Sequence, residues 1–484
     1  MSDDYYITIL VSSNNHQMKY QYDRTDKVSI WRYSAKLLET TLSSAIYPNQ
    51  IDEEIGGKGK LGQLVEKYFF GYDLNSNPDA DFSDAGLELK CTPLRELKNH
   101  KLSIKERLVC NMINYSEAHS VPFKNSHFYL KCLYMLILFY LHNSEAKTED
   151  LIFLYSVLWK IPEKDLIIIE QDYNVIVSKI RDGKAHELSE GDTMYLGACR
   201  KGQKGDSEQS YTLPDGSVAE QTAPKRAFSL KPAYMRTILA FAEEEKERLC
   251  TNIDGIKQNE MSELINSDEL RHKSFEEILL GRISPYYGKG QKELCNMFGA
   301  NPLAKQCFFQ IANAILTEQK RRGESVDDSE EIKKSGIVFK TIRVEENGSI
   351  RESMSFKNID YQEVLLEDEW LDSTVYELFS SKFLFVVFRK VGGEYKLNKA
   401  FFWTMPQSDL DDAYYYWQNI KTNVEKNQID AKYFYRHGEH KKFHVRTKGK
   451  VAAQKAINPH GGFATKYCYW FNNEYVKSII EQNE

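Results

Sequence analysis

Apolar positions along this chain change period several times, and each change predicts an element. Ile30, Tyr33, Leu37, Leu38 and Leu42 recur at helical spacing and predict one helix over Ser29–Ala45. After the Gly/Lys-rich stretch 56–60, Leu61, Leu64, Val65 and Tyr68 line one face of a second helix that Gly71 ends. Ala85, Leu87, Leu89 and Cys91 alternate with polar residues and predict a short strand. The longest apolar run, Leu133–Leu141, has nine residues, which suits a buried strand and is too short to span a bilayer. Residues 164–182 read as a helix. Residues 227–249 read as a strand, a Pro-led turn and an increasingly charged helix. An opening strand is expected at Tyr5–Val11, and 241–285, rich in Glu, Lys and Asn, is expected to connect two halves.

The second half echoes the first. "GQLVEKYF" (62–69) resembles "FQIANAIL" (309–316), and "GLELKCTPL" (86–94) resembles "GIVFKTIRV" (336–344). "LGACRKGQK" (196–204) pairs with "FHVRTKGKV" (443–451), and "FSLKPAYMRTIL" (228–239) with "YWFNNEYVKSII" (469–480). Four matches in one order, at offsets between 241 and 250, indicate a duplicated domain. The copies are unequal. Lys90 is matched by Lys340, but Glu88 faces Val338 and Glu66 faces Asn313, so the second copy lacks two carboxylates.

Glu88 and Lys90, two apart in a strand, share one face, with Leu87 and Leu89 on the other. On that evidence they are a structural ion pair or a catalytic pair. A buried charge needs a partner or a metal. A turn at "FSDAG" would bring Asp81 back beside Glu88, and two converging carboxylates suit Mg²⁺. Asp79, in a literal Pro-Asp, competes for the same role. Glu66 on the preceding helix could add a carboxylate, and Lys105 could reach the same phosphate; each also reads as an ordinary surface residue.

Composition places the chain among globular proteins. It has 484 residues, 42% hydrophobic and 28% charged. No charged n-region precedes an apolar core near the start, so no signal peptide is expected. Eight cysteines without paired spacing read as reduced thiols, and a cytoplasmic location is expected. The net charge of −6 is no signature of a nucleic-acid binder, but its distribution is uneven. Lys432–Lys466 holds nine Lys/Arg against one acid, Glu439, and a smaller basic cluster includes Arg200, Lys201, Lys204, Lys225, Arg226 and Lys231.

The order "GGKGKLGQLVEKYFFG…NPDADFSDAGLELKCTPL" (56–94) resembles the MutH family: a G-Q-L-x-E helix, then P-x-x-D-F, then G-x-E-L-K-x-x-P. A longer likeness, to the family's staphylococcal GATC restriction endonucleases, runs through "LSIKERLVCNMINY", "YLGACRKG", "SGIVFKTIRV" and the terminal "WFNNEYVKSII". The resemblance selects Asp81 over Asp79, because the family's aspartate precedes a phenylalanine, here Phe82. It implies an α/β (mixed α+β) chain of two tandem MutH-like, restriction-endonuclease-like domains, each a mixed sheet flanked by helices. Residues 1–240 would be catalytic, and 241–484 would be a copy without the catalytic acids that binds DNA and regulates.

The implied active site is Glu66, Asp81, Glu88, Lys90 and Lys105, with Asp81, Glu88 and Glu66 toward Mg²⁺. The implied activity is type II cleavage of duplex DNA at GATC by chains that pair on DNA, with no membrane association. Arg200, Lys201 and Gly202 would read bases, Arg and Lys being donors suited to guanine O6 and N7, and Lys231, Arg446 and Lys448 would contact DNA. The family's loop has proline after the arginine where this chain has Lys201, which leaves the base reader open. The same motifs serve a mismatch-repair-type GATC nickase, and a non-catalytic GATC-binding regulator is the remaining alternative.

Overall fold

The computed structural model describes residues 21–46, 55, 57, 59–74, 79–97, 100–201, 208–251, 263–318, 325–448 and 455–483. The expected strand Tyr5–Val11 and the base-reading candidate Gly202 lie outside them.

The first half contains β1 (Glu88–Glu96), β2 (Leu102–Ile104), β3 (Leu108–Met112), β4 (Tyr134–Leu141), β5 (Phe153–Lys160), β6 (Leu196–Arg200), β7 (Glu208–Gln209), β8 (Ala223–Pro224) and β9 (Arg226–Leu230). They form a sheet ordered β2-β1-β4-β5, a second sheet β3-β9-β6 and a ribbon β7-β8. β1 and β4 run parallel and the other pairs antiparallel.

The second half contains β10 (Val338–Val344), β11 (Met354–Asn358), β12 (Lys382–Val391), β13 (Glu394–Thr404), β14 (Phe443–Arg446), β15 (Lys455–Ile457), β16 (Phe463–Thr465) and β17 (Cys468–Phe471). Its sheets are β10-β12-β13 and β11-β17-β14, with a ribbon β15-β16. Here β10 and β12 are the parallel pair. The first-half order therefore recurs, without a described counterpart of β2. The helices recur too. Glu163–Arg181 and Gln407–Glu425 each have 19 residues and follow Pro162 and Pro406. His127–Cys132 and Thr374–Phe379 each have six and are capped by Ser126 and Ser373.

Strand alternation assigns the core. Leu136 and Leu138 of β4 face helices that include Lys27–Ser34 and Lys60–Leu64, while Met135, Ile137 and Phe139 face the β3-β9-β6 layer. In β12, Phe383, Phe385 and Val387 face the β11-β17-β14 layer. Leu384, Val386 and Phe388 join a core shared with helices Phe275–Ile283 and Cys307–Leu316 and with the first half.

Two expected elements are corrected. Ser29–Ala45 is not one helix: Lys27–Ser34 passes into a 3₁₀ turn, Leu38 bridges to Phe153, and Thr41 caps a new helix, Leu42–Ala45. Pairing with β5 overrides the helical spacing. The stretch 241–285 is not simply a connection. Helix Pro232–Thr251 carries the first half across the expected 240/241 division, and from Leu264 onward the chain enters the core. Leu264, Ile265, Leu270, Phe275, Ile278, Leu279 and Ile283 are buried. Much of the Glu/Lys content that suggested a linker lies in helix Pro232–Thr251 and in two short capped helices, Ser267–His272 and Phe275–Ile283.

The halves are tightly joined. Lys334 donates to both oxygens of Asp165 at 2.9 and 2.7 Å, and Tyr234 donates to the same carboxylate at 2.8 Å. Gly191 lies so close to the second half that a Cβ there would be 2.5 Å from Thr404 Cγ2. Arg107 pairs with Glu190 and donates to the Leu371 carbonyl at 2.8 Å.

Candidate active site

The site begins with a turn. Gly86 adopts φ +60°, a conformation that glycine takes without a Cβ clash, and Phe82 bridges to Leu87. Phe82 is fully buried and packs edge-on against Phe70 and Tyr72, each at 4.9 Å between ring centres. This anchor returns Asp81 to the start of β1. Asp81 Oδ2 accepts from Leu89 N at 2.9 Å, and Asp81 N donates to Glu88 Oε2 at 3.3 Å.

Glu88 is 2% exposed. Lys90 Nζ donates to Glu88 Oε1 at 2.7 Å and to the Cys110 carbonyl at 3.3 Å. Glu66 stands on the π turn Val65–Phe69, whose Val65 and Phe69 are buried in the covering layer. Lys131, from helix His127–Cys132, places its Nζ 3.6 Å from Glu88 Oε2. Sequence reading missed Lys131. A signal was present, because it is the sole charged residue between His127 and His142.

The carboxylates strain one another. Burial raises the Glu66 carboxyl to about 7, and the charges of Asp81 and Glu88 add to the rise. Burial, then Glu88, raises Asp81. Burial opposes the charge on Lys90, but Glu88 outweighs it and holds the ammonium above its ordinary range. Asp81 and Glu88 thus form an oxygen-donor pair whose repulsion a divalent cation would relieve. Among the described residues no three acid, thiol or imidazole groups form a ready coordination shell. One or two carboxylates with waters is the usual magnesium arrangement, so the pair fits Mg²⁺.

The other expected residues are spread more widely. Lys105 does not join the acids. Its backbone N–H bonds to Pro93 O, three residues along β1 from Lys90, and its ammonium pairs with Asp368 of the second half at 3.1 Å. Lys231 is 7% exposed and donates to the Thr193 carbonyl, with Asp172 and Glu190 nearby, which is an interior position. Arg200 ends β6, with its guanidinium 3.6 Å from Glu208, and Lys201 N bonds to Lys225 O at 2.8 Å. Arg446, exposed at the end of β14, stacks on Trp470 with its guanidinium carbon 4.0 Å from the ring centre, and Lys448 is exposed beyond it.

An aspartate turned back over a Glu-x-Lys strand, inside a mixed sheet with one parallel pair, sits within a restriction-endonuclease-like domain. Residues 70–172 match the model of the DNA mismatch repair enzyme MutH. The chain is also 34% identical over 366 residues to the type II restriction enzyme Sau3AI of Staphylococcus aureus, covering 73% of this chain and 71% of that one. The chain belongs to this MutH family of type II restriction endonuclease-like nucleases. No helix among the described residues is long and apolar enough to cross a membrane.

Proposed function

We propose that the chain is a Mg²⁺-dependent type II restriction endonuclease that hydrolyses duplex DNA at GATC. The carrying observation is Asp81 folded over Glu88 with Lys90 bonded to the same carboxylate. Asp81 and Glu88 would hold the divalent cation, which would supply positive charge to the scissile phosphate and acidify water. Lys90, held protonated by Glu88, donates to the attacking water or to a phosphate oxygen. Lys131 adds positive charge from the other side of Glu88, and Glu66 accepts a proton near neutrality. The sequence specificity rests on resemblance to GATC restriction endonucleases, with Arg200 and Lys201 toward the bases.

On this reading residues 1–240 cut, and 241–484, where Val338 replaces Glu88, bind DNA and regulate. One cutting site per chain calls for two chains to pair on a palindrome. Action on DNA inside a cell gives a cytoplasmic location. The test is incubation of purified protein and Mg²⁺ with a plasmid grown without adenine methylation, followed by sequencing of the ends. Four-base GATC overhangs are expected. Persistent open circles would favour a nickase, the second reading that a single site per chain supports. Absence of both cleavage and GATC-specific binding would overturn the proposal.

A further inference from the structure

The second half keeps the lysine of the active site and reverses the charge around it. By register Glu88 lies opposite Met135 and Lys90 opposite Ile137, whereas Val338 lies opposite Phe383 and Lys340 opposite Phe385. Met135 and Phe383 are each the second residue of the strand. Lys340 therefore occupies the place of Lys90, and Val338 that of Glu88. Even the backbone partner recurs: Lys90 donates to Cys110 O on β3, and Lys340 donates to Ser355 O on β11 at 2.9 Å.

The surroundings differ. In place of Glu66 there is Asn313, whose side-chain oxygen accepts from Val326 N at 2.6 Å. Lys448 repels the Lys340 ammonium, and Asp327 is the acid that faces it. Burial and Lys448 together lower Lys340 to about 8, where Glu88 holds Lys90 high.

This position continues into a basic surface. Ser355, which accepts from Lys340, pairs across the sheet with Trp470. Arg446 stacks on Trp470, and the indole N–H donates to Arg446 O at 3.0 Å. Glu352, the acid that acts on Arg446, is paired with Arg343 at 3.0 Å. Lys448 and Lys466 both act on Cys468, which lies opposite Arg446. Lys340, Arg446 and Lys448 thus approach one sheet, with Asp327 against them, where the first half gathers three carboxylates.

We propose that this vestige of the active site is an anion site that grips a backbone phosphate of duplex DNA without a metal, through Lys340 and Lys448 with Arg446 beside them. An acid-rich site must recruit a cation before a phosphate can approach; a site that has lost two of its acids and sets Lys448 beside Lys340, with Asp327 facing it, takes the phosphate in the cation's place. The proposal deepens the reading of the second half as DNA-binding and rests on it. It assigns to Lys340 a ligand contact rather than a structural role.

The test measures binding of a GATC duplex to the full chain by fluorescence anisotropy, in EDTA and separately in Ca²⁺, across a salt series. Wild type is expected to bind one duplex per chain in EDTA and, only with Ca²⁺, a further duplex shared by each pair of chains. Lys340→Met is expected to weaken the EDTA binding about tenfold and to lower the salt slope by about one. Lys448→Ala, an exposed change that spares the fold, is expected to act in the same direction. Val338→Glu, which restores a partner for the lysine, is expected to weaken it as well. Folded Lys340→Met and Lys448→Ala proteins that bind like wild type in EDTA would overturn the proposal. A wild type that cuts GATC yet binds a single duplex, and only with a divalent cation, would overturn it while leaving the nuclease reading intact. A chain that binds no DNA in either condition would overturn both.

Discussion

Lys90 and Lys340 occupy one position in two copies of the same strand pair, but Lys90 donates to Glu88 at 2.7 Å and Lys340 has Val338 where that acid would stand. The lysine is shared and the counter-charge is not. A cation-seeking site and an anion-seeking site can thus be built on one backbone, and the difference is testable at single residues.

Glu88→Gln removes a charge from the Asp81/Glu88 pair while keeping its shape. Cleavage should fall by about 10²-fold or more, the scale expected when a transition-state electrostatic contact is lost. DNA binding in Ca²⁺ should persist. Single-turnover cleavage of a short duplex measures the first and anisotropy the second; near-normal cleavage would remove Glu88 from the site.

Lys131 and Lys105 should separate. Lys131 stands 3.6 Å from Glu88, whereas Lys105 is bound to Asp368. Lys131→Met is expected to lower the single-turnover rate about 10–100-fold, with partial recovery in Lys131→Arg. Lys105→Met should have the smaller effect on chemistry. Equal losses would show that Lys105 leaves Asp368 and joins the acids when DNA binds.

Glu66 sets a pH dependence. Its carboxyl is raised to about 7, so without metal it holds a proton below that pH and loses it above. Cation binding favours the ionised form, so divalent affinity should strengthen as pH rises from about 6 to 8. Calorimetric titration with Mn²⁺ should show it, and Glu66→Gln should flatten the trend.

Lys340 has the opposite balance. Its folded value, about 8, is below its ordinary one of 10.5. The unfolded chain therefore binds more protons between those values, and charged Lys340 destabilises the fold at pH 7, a penalty relieved as pH rises through 8. Lys340→Met should stabilise the protein at pH 7 by on the order of 1 kcal/mol or more. Thermal unfolding at pH 7 and pH 9 should show the gain shrinking at the higher pH. A destabilised variant would assign Lys340 a structural role.

Lys334→Met strands the Asp165 carboxylate between the halves, where the two side chains are 3% and 2% exposed. A loss of about 3–5 kcal/mol is expected in denaturant unfolding. Substitution of both residues by leucine should recover much of it, because the unpaired charge is gone.

The sequence alone determined what depends on short range. Alternation placed Glu88 and Lys90 on one face of β1, the small residue at Gly86 marked the turn that returns Asp81, and the nine-residue apolar run marked β4. These follow from backbone periodicity and turn chemistry, which neighbouring residues fix. The tertiary structure decided what depends on pairing between distant segments. Leu38 leaves its helix because Phe153 offers a strand partner, and the charged helices after Leu264 belong to the core because their apolar faces meet β13. Lys131 joins Glu88 across more than forty residues, Lys105 is held by an aspartate of the other half, and Lys231 lies inside. A charged side chain carries no record in its own sequence of which charge it will meet. That choice is made when the sheets stack, because burial makes every unpaired charge costly and the nearest partner is then set by topology.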